Sequence, residues 1–219
     1  MGKRLAAHES SVGQPNFNSQ TNLATTHGES KIMNWKNTKN RYGIITKSFH
    51  WTVAFLIFLQ FALGMMMGSL PDDGDGKILG FGRPEIFEMH QSYGALLLLV
   101  VIGRIAWRWF SELPDWAESL TKGNKTFAHY AERTLYWLMF LTPLFGLLCV
   151  MAKADHVYFF GLHIPSFLPQ NESLVMAFGL GHAITRMALL LVVLLHIGYV
   201  FRHQFFKKDG LLKRMLPFN

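Results

Sequence analysis

Apolar residues are gathered into four long runs rather than spread at the spacing of surface helices. The runs cover approximately 49–68, 89–110, 134–151 and 183–201. Each is close to the roughly 17–25 residues that a helix needs to cross the hydrocarbon of a bilayer. Charge inside them is sparse: Arg104 and Arg108 near the end of the second, Arg186 in the fourth. Turn-rich or polar stretches separate them, at 69–88 with Pro71, Gly74 and Gly76, at 111–125, and at 152–173 with Pro165 and Pro169. Pro143 inside the third run predicts a kink, which membrane helices tolerate. Residues 1–32 are polar and irregular. No apolar core follows Lys3 and Arg4, so they are not a secretory signal. They read as a disordered leader or artificial extension ahead of one folded domain at 33–219.

Composition agrees with this pattern. Half the residues are hydrophobic and mean hydropathy is +0.19, while charged residues make up 16%, against roughly 25% in ordinary soluble domains. The single cysteine, Cys149, excludes an intrachain disulfide, a Cys-only zinc site and a Cys-ligated iron–sulfur cluster. The net charge of +7 raises nucleic acid as a partner, but its distribution points to membrane lipid. Basic residues cluster before the first run (Lys31, Lys36, Lys39, Arg41, Lys47), around the second loop (Arg104, Arg108, Lys122, Lys125, Arg133) and after the fourth run (Arg202, Lys207, Lys208, Lys213, Arg214). The first loop sets Lys77 and Arg83 against Asp72, Asp73, Asp75, Glu85 and Glu88, and the third has Lys153 alone. The bias predicts a multi-pass protein with both termini cytoplasmic.

A histidine inside a spanning helix is costly unless it has a partner. Four stand there: His50, His90, His182 and His196. With the N-terminus inside, His50 falls near the cytoplasmic face and His90 near the outer one. His182 and His196 are 14 residues apart, which is about 21 Å along a helix with an angular offset of only about 40°. One face of the fourth helix therefore presents a histidine at each level: His182 opposite His90 outside, His196 opposite His50 inside. Two such pairs in a four-helix bundle suit two b-type haems, each iron held by two imidazoles. Ligands split between levels about 20 Å apart do not suit a structural zinc site, which needs about four converging ligands. The predicted class is all-α integral membrane, a four-transmembrane-helix bundle binding two haems.

The segments Ser48-Phe49-His50-Trp51, Met89-His90-Gln91-Ser92-Tyr93-Gly94, Gly181-His182 and Leu195-His196 resemble the bacterial cytochrome b561 family of di-haem quinone reductases. The likeness runs from about residue 42 to 217. It includes Pro143-Leu144-Phe145-Gly146 and the tail Lys208-Asp209-Gly210-Leu211-Leu212. The resemblance implies the pairs His50–His196 and His90–His182, two haem b groups and a place in the bacterial inner membrane. It also implies an oxidoreductase of superoxide oxidase type, taking electrons from superoxide outside and reducing ubiquinone, from the quinone pool, at the cytoplasmic side.

Other residues carry two readings each. Arg104, 14 residues after His90, faces the interior as a partner of haem propionates, or snorkels as a helix-end cation. Arg186, one turn after His182, is a propionate partner for the outer haem; Arg108 is a boundary residue. Gly94, Gly179, Gly181 and Gly198 admit either a porphyrin or a neighbouring helix. His203, seven residues past His196, and Trp51 are the quinone candidates; the resemblance implies a histidine at this position. Lys153 and Arg83 are candidates for anion access, against an acidic first loop that disfavours superoxide. His129 belongs at the inner surface, His156 and His163 to an outer loop, and Cys149 to packing. Two other functions stand beside the first. One is a cytochrome b subunit passing electrons from a partner dehydrogenase or hydrogenase to quinone; the other is a haem-free metal transporter or structural bundle.

Overall fold

The computed structural model describes residues 35–39, 41–71, 76–115, 121–210 and 212–216; the leader at 1–32 and the acidic Asp72, Asp73 and Asp75 lie outside them. Four helices dominate: α1 (Ile44–Ser69), α2 (Arg83–Phe110), α3 (Lys122–Lys153) and α4 (Glu172–Phe201). Each is long and apolar enough to cross a membrane. A π-helical turn, Arg202–Lys207, continues α4.

All four helices outrun the apolar segments that announce them, because hydropathy marks the part within hydrocarbon while capping sets where a helix ends. Thr121 accepts from the Asn124 N–H at the head of α3, thirteen residues before the apolar run begins. Asn171 does the same for the Leu174 N–H of α4, and Pro84 occupies the first turn of α2, where no intrahelical N–H is needed. Pro143 is buried within a continuous α3.

One element departs from the all-α expectation. The third loop holds an antiparallel hairpin of β1 (His156–Phe159) and β2 (Leu162–Pro165), with Phe159 opposite Leu162. Its two-residue turn puts Phe160 at φ 50° and Gly161 at φ 85°, the doubly left-handed backbone that suits strand twist. Alternation over only four residues is too short to stand out against long apolar runs.

Val53, Leu56 and Ile57 of α1 pack with Leu97 and Val101 of α2, Met139 of α3 and Leu189 of α4. Outward faces carry exposed Phe55, Phe58, Leu99, Trp109 and Leu191, as lipid-facing helices do. The packing is not uniform around the bundle. Among the described residues α1 lies on α2, α2 on α3 and α3 extensively on α4, with no comparable interface between α4 and α1. The four histidines of the spans meet along this side of α4, two facing α1 and α2 from α4.

Candidate functional site

At one end of the bundle, the outer level in the orientation expected from the basic residues, His90 of α2 meets His182 of α4, ring centres 6.2 Å apart and planes at 87°. His182 is placed from behind by α3: its Nδ1 lies 2.9 Å from the Thr142 carbonyl oxygen, so Nδ1 carries the proton and donates. Room for this ring comes from Gly146, where an added Cβ would sit 3.0 Å from His182 Nδ1. His90 Nδ1 is buried without a hydrogen-bond partner. Gln60 of α1 donates to the His90 carbonyl at 3.1 Å.

The residues after His90 hold the hairpin over this level. Gln91 accepts from the Tyr158 N–H at 3.1 Å, Ser92 Oγ accepts from the Phe160 N–H at 2.9 Å, and the Tyr93 ring meets Phe160 edge-on at 5.1 Å. Ser92 thereby satisfies the N–H of a bulky residue in the left-handed region, a conformation that needs support from its surroundings. Beside the hairpin a cavity of about 260 Å³ is lined by Glu85, Glu88, Tyr93, Tyr158 and Phe160.

At the inner level His50 of α1 meets His196 of α4, ring centres 6.4 Å apart and planes at 57°. Here a cation rather than a carbonyl stands behind the ring. Arg104 Nη2 is 3.3 Å from His50 Nδ1, while its Nε donates to Tyr136 Oη at 3.3 Å and its guanidinium sits 5.5 Å from the Tyr136 ring centre. Arg108 is tied to Glu132 at 3.0 Å, as a boundary ion pair. Nearby Tyr42, outside the spans, has its phenol pushed above the usual range, first by burial and then by the Glu132 carboxylate.

Both pairs fit a metal held in two axial positions. Metal–imidazole bonds of about 2 Å, with about 1.1 Å from nitrogen to ring centre, set coaxial rings about 6.3 Å apart. Among the described residues no group of three or more His, Cys, Asp or Glu gathers to hold a metal alone. Each level thus brings two imidazoles together, a donor set that fits a haem iron.

The remaining candidates are distributed as follows. Arg186 is exposed on α4, one turn below His182. Arg83 opens α2 and donates to the Leu70 carbonyl at 3.3 Å, whereas Lys153 is exposed at the outer end of α3; different helix ends carry the two. Trp51 gives its indole N–H to the Met215 carbonyl at 2.9 Å. His203 is fully buried, with Asp209 at its Nδ1, so both quinone candidates are tied to the C-terminal tail. Gly179 and Gly181 face Cys149 and Phe145 of α3, and Gly94 faces Gln60, which makes them helix-packing positions. At Gly198 an added Cβ meets nothing within 4 Å. Cys149 donates to the Val175 carbonyl. His129 and His163 are exposed, and His156 pairs with Asp155.

Sequence reasoning gave no role to Thr142, Tyr136 or Tyr199, and named Gly146 and Asp209 only within family-like segments. Gly146 left a signal, since a glycine in mid-helix costs roughly 0.5–1 kcal/mol against alanine and needs a reason; a backbone carbonyl such as that of Thr142 leaves none.

Residues 41–218 match the family model described as prokaryotic cytochrome b561. The chain is also 30% identical over 185 residues to cytochrome b561 homolog 2 of Escherichia coli (strain K12), covering 84% of this chain and 95% of that protein. Family model and spanning helices together make this a bacterial membrane protein that transfers electrons through haem b, and the chain belongs to the prokaryotic cytochrome b561 family.

Proposed function

We propose that the chain holds two haem b groups between its helices, His90 with His182 at the outer level and His50 with His196 at the inner one. Together they carry electrons from superoxide outside to ubiquinone at the cytoplasmic face of the inner membrane. The observation that carries this reading is the repeated pair, with ring centres at 6.2 and 6.4 Å, a spacing suited to one bis-imidazole iron at each level. When bound, such groups pass one electron at a time and leave no open iron position for oxygen. The Thr142 carbonyl fixes which nitrogen of His182 carries the proton, leaving the other as ligand. Arg104 supplies positive charge at the inner level for propionates, and Arg186 at the outer. His203 and Trp51 bound the quinone end. Both termini are cytoplasmic, from the placement of basic residues.

Superoxide is an anion and is best captured by positive charge along its approach. Lys153 and Arg83 are the cations for its approach, but the outer cavity carries Glu85 and Glu88, whose charge opposes an anion. Those carboxylates, with Phe160, Leu162 and Ile164 exposed on the hairpin, favour a second reading in which a partner protein docks outside and feeds the same haems. Stopped-flow mixing of purified protein with superoxide, followed by ubiquinone, separates the two. Rapid haem reduction and then reoxidation supports the first; inert haems towards superoxide, still reoxidised by ubiquinone once reduced chemically, leave the second.

A further inference from the structure

Beyond the paired histidines, the cytoplasmic end of α4 holds an unusual group of polar atoms. His203 is 0% exposed, and its Nδ1 lies 2.5 Å from Asp209 Oδ2, itself on a side chain only 8% exposed. Its other nitrogen, Nε2, is buried with no hydrogen-bond partner. The Tyr199 ring lies one turn earlier, its centre 4.4 Å from that of His203. Its Oη is likewise buried and unpartnered, as is Gln204 Oε1. Native proteins seldom leave such atoms unpaired, and two on the neighbouring rings of His203 and Tyr199 point to a ligand or water.

The backbone is shaped to bring Asp209 here. The π-helical turn Arg202–Lys207 ends in left-handed Lys208, φ 52°, and Gly210, φ 73°, follows. This reversal folds Asp209 back six residues onto His203. π-Helical turns are rare, and within α-helices they occur frequently at functional sites.

We propose that Asp209 is a positioning residue for proton delivery: it holds the Nδ1 proton of His203, so that Nε2, beside Tyr199, is the atom that exchanges a proton with a bound quinone. The inference rests on the quinone reading above. In each transfer the Nε2–H bond breaks and an O–H bond forms at a quinone oxygen. The ring passes from doubly protonated to neutral, with Nδ1–H still on the carboxylate. Water at the cytoplasmic surface reprotonates Nε2. Two transfers supply the two protons that match the two electrons delivered by the haems. The fixed tautomer is the contribution of Asp209, as when a carboxylate orients a catalytic imidazole.

The test uses haem-loaded full-length protein with a short-chain ubiquinone. Asp209→Asn keeps an acceptor for Nδ1–H but removes the charge, and Asp209→Glu keeps the charge at a longer reach. The expected result is a fall in kcat of about tenfold or more for Asp209→Asn with KM altered less than about twofold. Asp209→Glu recovers part of kcat, and haem spectrum and donor-driven haem reduction are unchanged in both. An unchanged kcat in Asp209→Asn, with His203→Ala slow, overturns the role of Asp209 and leaves the quinone site standing. Wild-type reduced haem that no quinone reoxidises overturns the quinone reading itself.

Discussion

The two histidine pairs are alike in residue type and are supported in opposite ways. Outside, backbone does the holding: the Thr142 carbonyl takes the His182 proton, Gly146 clears space for the ring, and a hairpin pinned by Gln91 and Ser92 closes the end. Inside, charged side chains do it: Arg104 stands at His50 braced by Tyr136, and the tail adds Asp209 behind His203. Backbone support fixes geometry and makes an imidazole a better electron donor to a metal, whereas a neighbouring cation stabilises added negative charge. In the proposed electron path, the backbone-held pair keeps a ligand still, and the charge-held pair manages charge and protons as electrons leave.

The largest effect that tests this contrast is loss of a ligand. His50→Ala removes one of two ligands at the inner level only. Quinone reduction should fall to background while donor-driven reduction of the outer haem persists; loss of both activities together would mean that the levels are not independent. Next comes Gly146→Val, which drives side-chain atoms into the His182 ring. Outer haem is lost or its spectrum altered, with the inner one retained; Gly198→Ala, in open space, should change stability by no more than about 0.5 kcal/mol. Arg104→Gln should lower the midpoint potential of the inner haem in a redox titration, and slow quinone reduction by about 10–100-fold. Equal shifts at both haems would erase the distinction drawn here. Ser92→Ala leaves the paired histidines untouched: it orphans the Phe160 N–H and should cost about 1–3 kcal/mol, read as a lower melting temperature in detergent with haem content kept.

Much of this was legible in the residue order because the membrane simplifies the code. Four apolar runs specify four helices, and a histidine inside one is rare enough to read as functional. The 14-residue gap between His182 and His196 specifies one face at two depths through helix geometry alone. What stayed hidden depends on neighbours brought in by packing. The Thr142 carbonyl belongs to every residue type alike, so its bond to His182 has no sequence signature. The Phe160-Gly161 turn is two residues among many loop residues. Asp209 stood within a recognisable tail, but its use at His203 depends on a π-helical turn that no periodicity announces. Glycines read ambiguously for the same reason: Gly181 and Gly146 look alike in sequence, yet one faces Phe145 and the other the His182 ring.

The central claim is that one chain binds haem at two separate levels. Its most direct test is the number of b-type haems per polypeptide in purified wild-type protein, by pyridine haemochrome against quantitative amino-acid analysis, beside the His182→Ala variant. The account predicts two haems falling to one, with the survivor still six-coordinate. A wild-type value of one, or a variant that keeps both, would contradict it.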